Sequence, residues 1–375
     1  MKWIAQVFTG GWNNADCSAA QVCSGLEILR RQTPLQAVLI GWNGSTEFYR
    51  EVGEFLHRCG IAMYLWLPVL SELEQLGAAQ PVVDLWGEET VSFSFQKGED
   101  FRFFCPSAPA NHMLLQRTLT RFAGCGFDGV FLDKIRSQSF LSGARDILGC
   151  CCARCRTSYR QQGCDPDALR ALCDEKGTQK ALALRWDRQG QRFAFLHPEA
   201  EAFFAAKRVL YTQQIIKLIE EFRQKGLGVG LDLYAPPFDF LVGQDSARLA
   251  HAADFVKPMM YRITNAPAGM GFEWERMAAA LGEENLPLDF DRTRLLGDPW
   301  MEQALSSLCR AAPGKIYPGL EFNRDPAVAP STPDYLRRSL RVAENAGCTG
   351  VVMAWNVLRA PKENLDCART QGGTA

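Results

Sequence analysis

The chain has 375 residues, 47% of them hydrophobic and 22% charged, and its formal net charge is −1. These totals are typical of a soluble globular protein and exclude a strongly basic surface, so we expect no nucleic-acid partner. No apolar run is long enough to span a bilayer, and we identify no signal peptide, so we expect no membrane partner. Fourteen cysteines without an export signal predict reduced thiols in a cytoplasm, where a cysteine cluster more often binds metal than forms disulfides.

Short apolar segments alternate with helical patterns along the whole chain. The predicted strands are Ile4–Thr9, Ala37–Trp42, Ala62–Pro68, Gly129–Asp133, Val229–Tyr234, Phe255–Tyr261, Ile316–Phe322 and Gly350–Trp355. The helices predicted between them include Ser45–Cys59, Met113–Gly124, Ala202–Lys225, Ser246–Ala252, Trp300–Ala311 and Thr332–Ala346. Before four of the predicted strands, the preceding helix ends at a glycine, the residue that commonly stops a helix. These glycines are Gly60, Gly126, Gly226 and Gly347. Eight strand–helix units predict a single (β/α)8 TIM barrel over residues 1–369, followed by a flexible tail at 370–375.

An open, doubly wound sheet is the alternative to the barrel, but the sequence carries no dinucleotide fingerprint. Two connections are too long for bare loops between a strand and a helix. They cover residues 69–111, after the third strand, and 137–200, after the fourth strand. In a TIM barrel, both insertions would lie on the face that carries the active site.

Three predicted strands carry a carboxylate at or near the carboxyl end. Asp133 ends the fourth strand, Asp232 lies in the fifth and Glu321 lies in the seventh. Because the carboxyl ends of barrel strands meet at one mouth, we expect the three acids to converge there. Paired carboxylates are suited to cleaving glycosidic bonds, since one protonates the leaving oxygen while the other attacks or activates water.

Polar and aromatic residues lie at the ends of these strands and of other predicted strands. Aromatic faces are suited to binding sugar rings. We expect the substrate-binding residues to be Trp42, Arg136, Tyr234, Lys257, Tyr261, Trp355 and Asn356.

Three segments resemble those of a known family. The segment from Gly126 to Arg136 resembles the fourth-strand signature of glycoside hydrolases of the TIM-barrel type, in which an acid is followed three residues later by arginine. Lys257-Pro258-Met259-Met260-Tyr261 is similar to their sixth-strand motif, and the segment from Ala346 to Asn356 to their eighth-strand ending. The resemblance spans most of the chain and implies a sugar-active barrel in which Asp133 matches the family acid.

A cysteine cluster accompanies these motifs. Cys150, Cys152 and Cys155 form a Cys-x-Cys-x-x-Cys run that can surround one tetrahedral ion. A fourth thiolate is needed, for which Cys105 in the other insertion is the candidate, with Cys151 and Cys164 as competitors. The arrangement resembles the structural zinc site of certain barrel β-galactosidases, which implies that Cys105 joins the triplet around zinc.

The leading hypothesis is a cytoplasmic glycoside hydrolase that acts on a small oligosaccharide or glycoside and uses no organic cofactor. Asp133 would be the acid and Glu321 the nucleophile or base, with Asp232 as the substitute. One alternative is a lyase or aldolase that forms a Schiff base through Lys257. The other is a sugar-binding barrel without catalysis.

Overall fold

The computed structural model describes residues 1–13, 15–71, 79–90, 93–96 and 99–369, with the backbone alone at 94–96 and 99–100. The predicted tail at 370–375 lies outside the described residues. The strands are β1 (Lys2–Phe8), β2 (Leu35–Gly41), β3 (Ala62–Pro68), β4 (Ser94–Gln96), β5 (Glu99–Asp100), β6 (Gly129–Asp133), β7 (Leu184–Asp187), β8 (Arg192–Phe195), β9 (Gly228–Leu233), β10 (Phe255–Pro258), β11 (Gly319–Glu321) and β12 (Gly350–Ala354).

The helices are α1 (Ala19–Arg30), α2 (Thr46–Arg58), α3 (Pro109–Phe122), α4 (Ala153–Gln161), α5 (Pro166–Lys176), α6 (Thr178–Ala181), α7 (Pro198–Gln224), α8 (Ser246–Ala252), α9 (Met270–Leu281), α10 (Arg292–Leu295), α11 (Asp298–Ala311), α12 (Pro333–Asn345) and α13 (Lys362–Arg369). Helices α1 and α9 are not among the segments named above, although the eight predicted strand–helix units require a helix at each of these places. Helix α1 contains Gly25, which lowers helix propensity, but a capping box between Ser18 and Gln21 fixes its start.

Eight parallel strands form the predicted barrel. They follow the order β10-β9-β6-β3-β2-β1-β12-β11. Parallel bridges from Val256 to Ile316 and from Met259 to Gly319 join the two ends of this order. The prediction of a (β/α)8 TIM barrel is therefore confirmed.

The glycines that predicted the helix ends adopt the backbone conformation expected of a helix stop. The four glycines that end helices before a strand all have positive φ, between 70° and 79°. Glycine adopts this conformation without the steric cost that a Cβ would add, so each helix can stop and turn back to the sheet.

The core has two layers. Ile4, Leu39, Phe131, Phe255 and Val352 are among the side chains that fill the barrel interior. A larger apolar layer lies between the strands and the surrounding helices. Residues of each strand alternate between these two layers. Inward-pointing residues beyond the packed interior, at the carboxyl ends of the strands, therefore line the mouth of the barrel.

Both predicted insertions are present. The first, between β3 and α3, contains the β4–β5 hairpin, and the second, between β6 and α7, contains α4, α5, α6 and the β7–β8 hairpin. Buried aromatic residues of the first insertion, such as Phe101 and Phe103, lie beside the strand ends. Among the helices of the described chain, none has an apolar stretch long enough to cross a bilayer.

Candidate active site

A cavity of about 220 Å³ lies at the carboxyl ends of the barrel strands. Nine of the ten residues predicted as catalytic or substrate-binding line it, and the exception is Glu321. The lining comprises Gln6, Phe8, Trp42, Trp66, Phe101, Asp133, Lys134, Arg136, Asp232, Tyr234, Lys257, Met259, Tyr261, Thr264, Ala266, Pro267, Ala268, Asn323, Arg324, Asp325, Val328, Trp355, Asn356 and Arg359.

Asp133 is the last residue of β6 and is half-buried at the wall of the cavity. Its Oδ2 accepts a hydrogen bond from the indole nitrogen of Trp66, at 2.9 Å. Its Oδ1 accepts one from the backbone amide of Lys134, at 2.5 Å. Two nitrogen donors therefore hold the carboxylate in one orientation, in which its partly exposed oxygens face the cavity.

Asp232 lies next to Asp133 in the barrel. Leu132 of β6 is aligned with Leu231 of β9, so the next residues along these neighbouring strands are the two aspartates. Neighbouring strands run about 5 Å apart, and both aspartates occupy inward positions. Two carboxyl groups thus share one side of the cavity, as the sequence predicted for the acids of the fourth and fifth barrel strands.

A buried lysine accompanies Asp232. Lys257 is aligned with Asp232 across β9 and β10, and its ammonium donates to Oδ2 of Asp232 at 2.7 Å. The same ammonium donates to Oε1 of Gln6, on β1, at 2.9 Å. Gly319 leaves room for this lysine, because a Cβ there would come within 2.5 Å of the Cε of Lys257.

The other oxygen of Asp232 has a different environment. Oδ1 is buried and has no hydrogen-bond partner among the described residues. Burial raises the pKa of Asp232 to about 7, although Lys257 lowers it, and the nearby Asp133 adds to the rise. Asp232 is therefore a carboxyl group that can hold a proton near neutral pH.

Glu321 does not line the cavity, although it is fully buried. Its carboxylate accepts hydrogen bonds from the backbone amide of Ile263, the hydroxyl of Thr264 and the hydroxyl of Tyr335. Burial raises the pKa of Glu321, and the bond from Tyr335 is the largest opposing effect. The glutamate thus joins β11 to the loop after β10 and to α12.

Aromatic side chains form the walls of the cavity. Trp42 packs against Trp66 and Phe8, with ring centroids 5.5 and 5.4 Å apart. On another side, Tyr261 lies 5.9 Å from Trp355. Sequence analysis missed Trp66 and Phe8, although both lie near the carboxyl end of a predicted strand, where alternation could have identified them.

The remaining predicted binding residues are held by specific contacts. The hydroxyl of Tyr234 donates to Glu273 at 2.7 Å, and the side-chain amide of Asn356 donates to the carbonyl of Phe8 at 3.0 Å. The guanidinium of Arg136 lies 4.2 Å from the centre of the Tyr234 ring. Two loops that the sequence did not indicate, at 264–268 and 323–328, complete the rim.

The four predicted cysteine ligands converge in the two insertions. The sulfur atoms of Cys105, Cys150, Cys152 and Cys155 all lie within 4.8 Å of one another. Cys105 is 3.6 Å from Cys152 and 3.7 Å from Cys155. A tetrahedral zinc with bonds of about 2.3 Å requires sulfur atoms about 3.8 Å apart, so the spacing fits this ion.

The two competing cysteines are not members of this cluster. The thiol of Cys151 points to the carbonyl of Leu148, at 3.2 Å. Four thiolate ligands would fill the tetrahedral coordination of one ion and leave no position for a water or a substrate. An ion bound by all four would link the first insertion to the second.

Comparison with known proteins identifies relatives of the fold. No protein-family model matches the chain, and no curated protein matches it in sequence. Among solved structures, the glycoside hydrolase domain of PgaB (BpsB) from Bordetella bronchiseptica is similar, with a TM-score of 0.58 and 15% identity over 98% of both chains.

Two further structures have the same architecture. The α-L-fucosidase isoenzyme 2 of Paenibacillus thiaminolyticus has a TM-score of 0.51 and 12% identity, over 98% of this chain and 48% of that one. The Group IV chitinase of Ostrinia furnacalis has a TM-score of 0.50 and 10% identity, over 99% of both chains. The chain therefore has the TIM-barrel fold found in these glycoside hydrolases.

Proposed function

We propose that the protein is a glycoside hydrolase that cleaves a glycosidic bond of a small oligosaccharide or glycoside. One observation carries the proposal: Asp133 and Asp232, on neighbouring strands, line the same aromatic-walled cavity. Acetal cleavage by a pair of carboxyl groups requires both groups within reach of one glycosidic bond, and aromatic walls bind sugar rings. The similarity in fold to glycoside hydrolases agrees with this chemistry.

The two aspartates differ in a way that suggests separate roles. The raised pKa of Asp232 and its unpartnered Oδ1 suit the group that protonates the leaving oxygen. Asp133, which accepts hydrogen bonds from two nitrogen donors, suits the carboxylate that attacks the sugar or activates water. This assignment differs from the predicted pairing, in which Asp133 was the acid and Glu321 its partner.

We propose a positioning role for Glu321. Three donors already occupy its carboxylate, and two of them belong to the loop after β10 that supplies Thr264 to the cavity rim. Holding this loop would keep the rim in place without contact between the glutamate and the substrate.

The aromatic and polar lining would bind the sugar. Trp42, Trp355 and Tyr261 would stack against the C–H faces of sugar rings. Asn356, Arg136 and Tyr234 would interact with polar substituents, and Lys257 would hold Asp232 in place.

For the cysteine cluster we propose a structural zinc ion bound by Cys105, Cys150, Cys152 and Cys155. The thiols must stay reduced to hold the ion, and this requirement is the reason for proposing a cytoplasmic location.

The test compares two leaving groups. We expect Asp232→Asn to retain turnover of a dinitrophenyl glycoside, which needs no protonation, and to lose turnover of the matching alkyl glycoside. Asp133→Asn should lose both substrates, because attack on the sugar precedes or accompanies both reactions. Arg185→Gln, on the exposed side of β7, is the matched control and should keep both activities.

Two results would reject the proposal. Absence of turnover in the wild type across α- and β-glycosides, together with sugar binding, would favour the non-catalytic barrel. A borohydride-trapped adduct on Lys257 would favour the Schiff-base alternative. We expect no adduct, because an ammonium that donates to both Asp232 and Gln6 is not available as a nucleophile.

A further inference from the structure

The floor of the cavity contains more positive than negative side chains. Three buried cations, Lys134, Arg136 and Lys257, line it beside Asp133 and Asp232. Lys257 forms an ion pair with Asp232. Arg136 has no such ion pair among the described residues, so an anionic group of a ligand beside it would be stabilised.

Arg136 is the cation whose surroundings point most directly to such a ligand. Its side chain lines the cavity, and the residue is only 4% exposed. The guanidinium lies between two aromatic rings, 4.7 Å from the centre of Phe103 and 4.2 Å from the centre of Tyr234. Contact of a guanidinium with aromatic rings leaves its N–H groups available for hydrogen bonds.

That edge is largely unused by the protein. Within the described part of the chain, Arg136 makes a single hydrogen bond, from Nη1 to the carbonyl of Ser137 at 2.8 Å, and no ion pair. By contrast, Arg324 and Arg359 at the rim form ion pairs with Glu363 and Asp16. A buried arginine whose N–H groups lack acceptors is unfavourable unless a ligand supplies them.

Lys134 adds positive charge on the same side. Its ammonium lies 4.1 Å from the centre of the Phe101 ring and 5.2 Å from that of Trp42, both of which line the cavity. Arg136 and Lys134 follow the same strand, two residues apart.

We propose that the ligand of this cavity is a uronic acid, whose carboxylate binds the edge of the Arg136 guanidinium. A planar carboxylate can accept two parallel hydrogen bonds from a guanidinium, and its negative charge would supply the acceptor that Arg136 lacks among the described residues. A sulfate ester has the same charge but a tetrahedral shape, so sulfated sugars are a separate arm of the test. The claim that a uronide is the substrate rests on the proposed function. The claim that the cavity binds a uronate does not.

Binding is measured first, by titration calorimetry with glucuronate, galacturonate, glucose, galactose and a galactose sulfate. We expect a uronate to bind at least roughly tenfold more tightly than the neutral sugar of the same configuration and than the sulfate. Arg136→Gln should weaken uronate binding roughly ten- to hundredfold and weaken binding of the matching neutral sugar by a smaller factor. Arg136→Lys should give an intermediate loss, because it keeps the charge and loses the paired donors. Arg185→Gln is again the control.

Hydrolysis is measured second, with aryl uronides and the matching neutral aryl glycosides. Cleavage of neutral glycosides without a preference for uronides would overturn the uronate assignment and leave the proposed function standing. Uronate binding that depends on Arg136, without hydrolysis of either substrate, would support the assignment and overturn the proposed function. Equal binding of neutral sugars and uronates, or uronate binding that is unchanged in both Arg136 variants, would overturn the assignment directly.

Discussion

Replacing Lys257 by methionine should reveal what the buried ion pair contributes. Lys257 is 1% exposed and donates to both Asp232 and Gln6, at 2.7 and 2.9 Å. Methionine fills much of the same space but leaves Asp232 without its cation. Removing one partner of a buried ion pair costs roughly 3–5 kcal/mol of stability when the other partner stays charged.

The cost should depend on pH in a defined direction. The pKa of Asp232 is raised from 3.8 to about 7 by burial. Between these values the folded protein holds a proton that the unfolded chain has released, so this group makes the wild type less stable as pH rises, by about 1.4 kcal/mol per unit. Above about pH 7 its contribution is constant.

Loss of Lys257 removes the charge that lowers the pKa of Asp232, so this pKa should rise above 7 in the variant. Above about pH 7, the unfolding free energy of the variant would then continue to fall as pH rises, whereas the contribution of Asp232 in the wild type is constant. The difference in unfolding free energy between the two proteins should be steady below about pH 7 and should widen above it by about 1.4 kcal/mol per pH unit until Asp232 ionises in the variant.

The assay is urea unfolding of the wild type and Lys257→Met at several pH values between about 6 and about 9. The same comparison in an Asp232→Asn background is the control, since it removes the titrating group and should abolish the widening. A stability gap that does not change with pH, or that widens equally in the asparagine background, would refute the reasoning.

Three further predictions concern other parts of the molecule. Cys152→Ser should reduce bound zinc from about one ion per chain to less than about half, whereas Cys151→Ser should retain the ion. Zinc is measured by mass spectrometry of the metal, and a metal-free wild type would contradict the proposed ion. Glu321→Gln should keep most of kcat. Glu321→Ala should lower the unfolding free energy by about 3–6 kcal/mol, because three buried donors lose their acceptor. Loss of turnover in a stably folded Glu321→Gln would instead support the pairing of Asp133 with Glu321 that the sequence predicted. For alkyl glycosides, kcat/KM should fall as pH rises through about 7, where Asp232 loses its proton, and an unchanged rate up to about pH 9 would exclude this carboxyl as the acid.

Local patterns in the sequence were sufficient for much of the fold. Glycines that stop helices at positive φ, such as Gly60 and Gly226, and short apolar runs between helices predicted all eight barrel strands. Because barrel strands are parallel and their carboxyl ends meet, the same patterns also placed Asp133 and Asp232 at one mouth. The close spacing of Cys150, Cys152 and Cys155 predicted three members of the cluster, since ligands a few residues apart can reach one ion.

Only the tertiary structure decided which of the predicted residues act together. Glu321 satisfies the sequence pattern, but donors from Thr264 and Tyr335, on separate elements, hold its carboxylate outside the cavity lining. Lys257 contacts Gln6 across 251 positions of sequence. Strand periodicity fixes the face on which a side chain begins, because it is a property of the local backbone. The partner that a buried polar group finds depends on side chains brought together by closure of the whole barrel, and no local pattern specifies it.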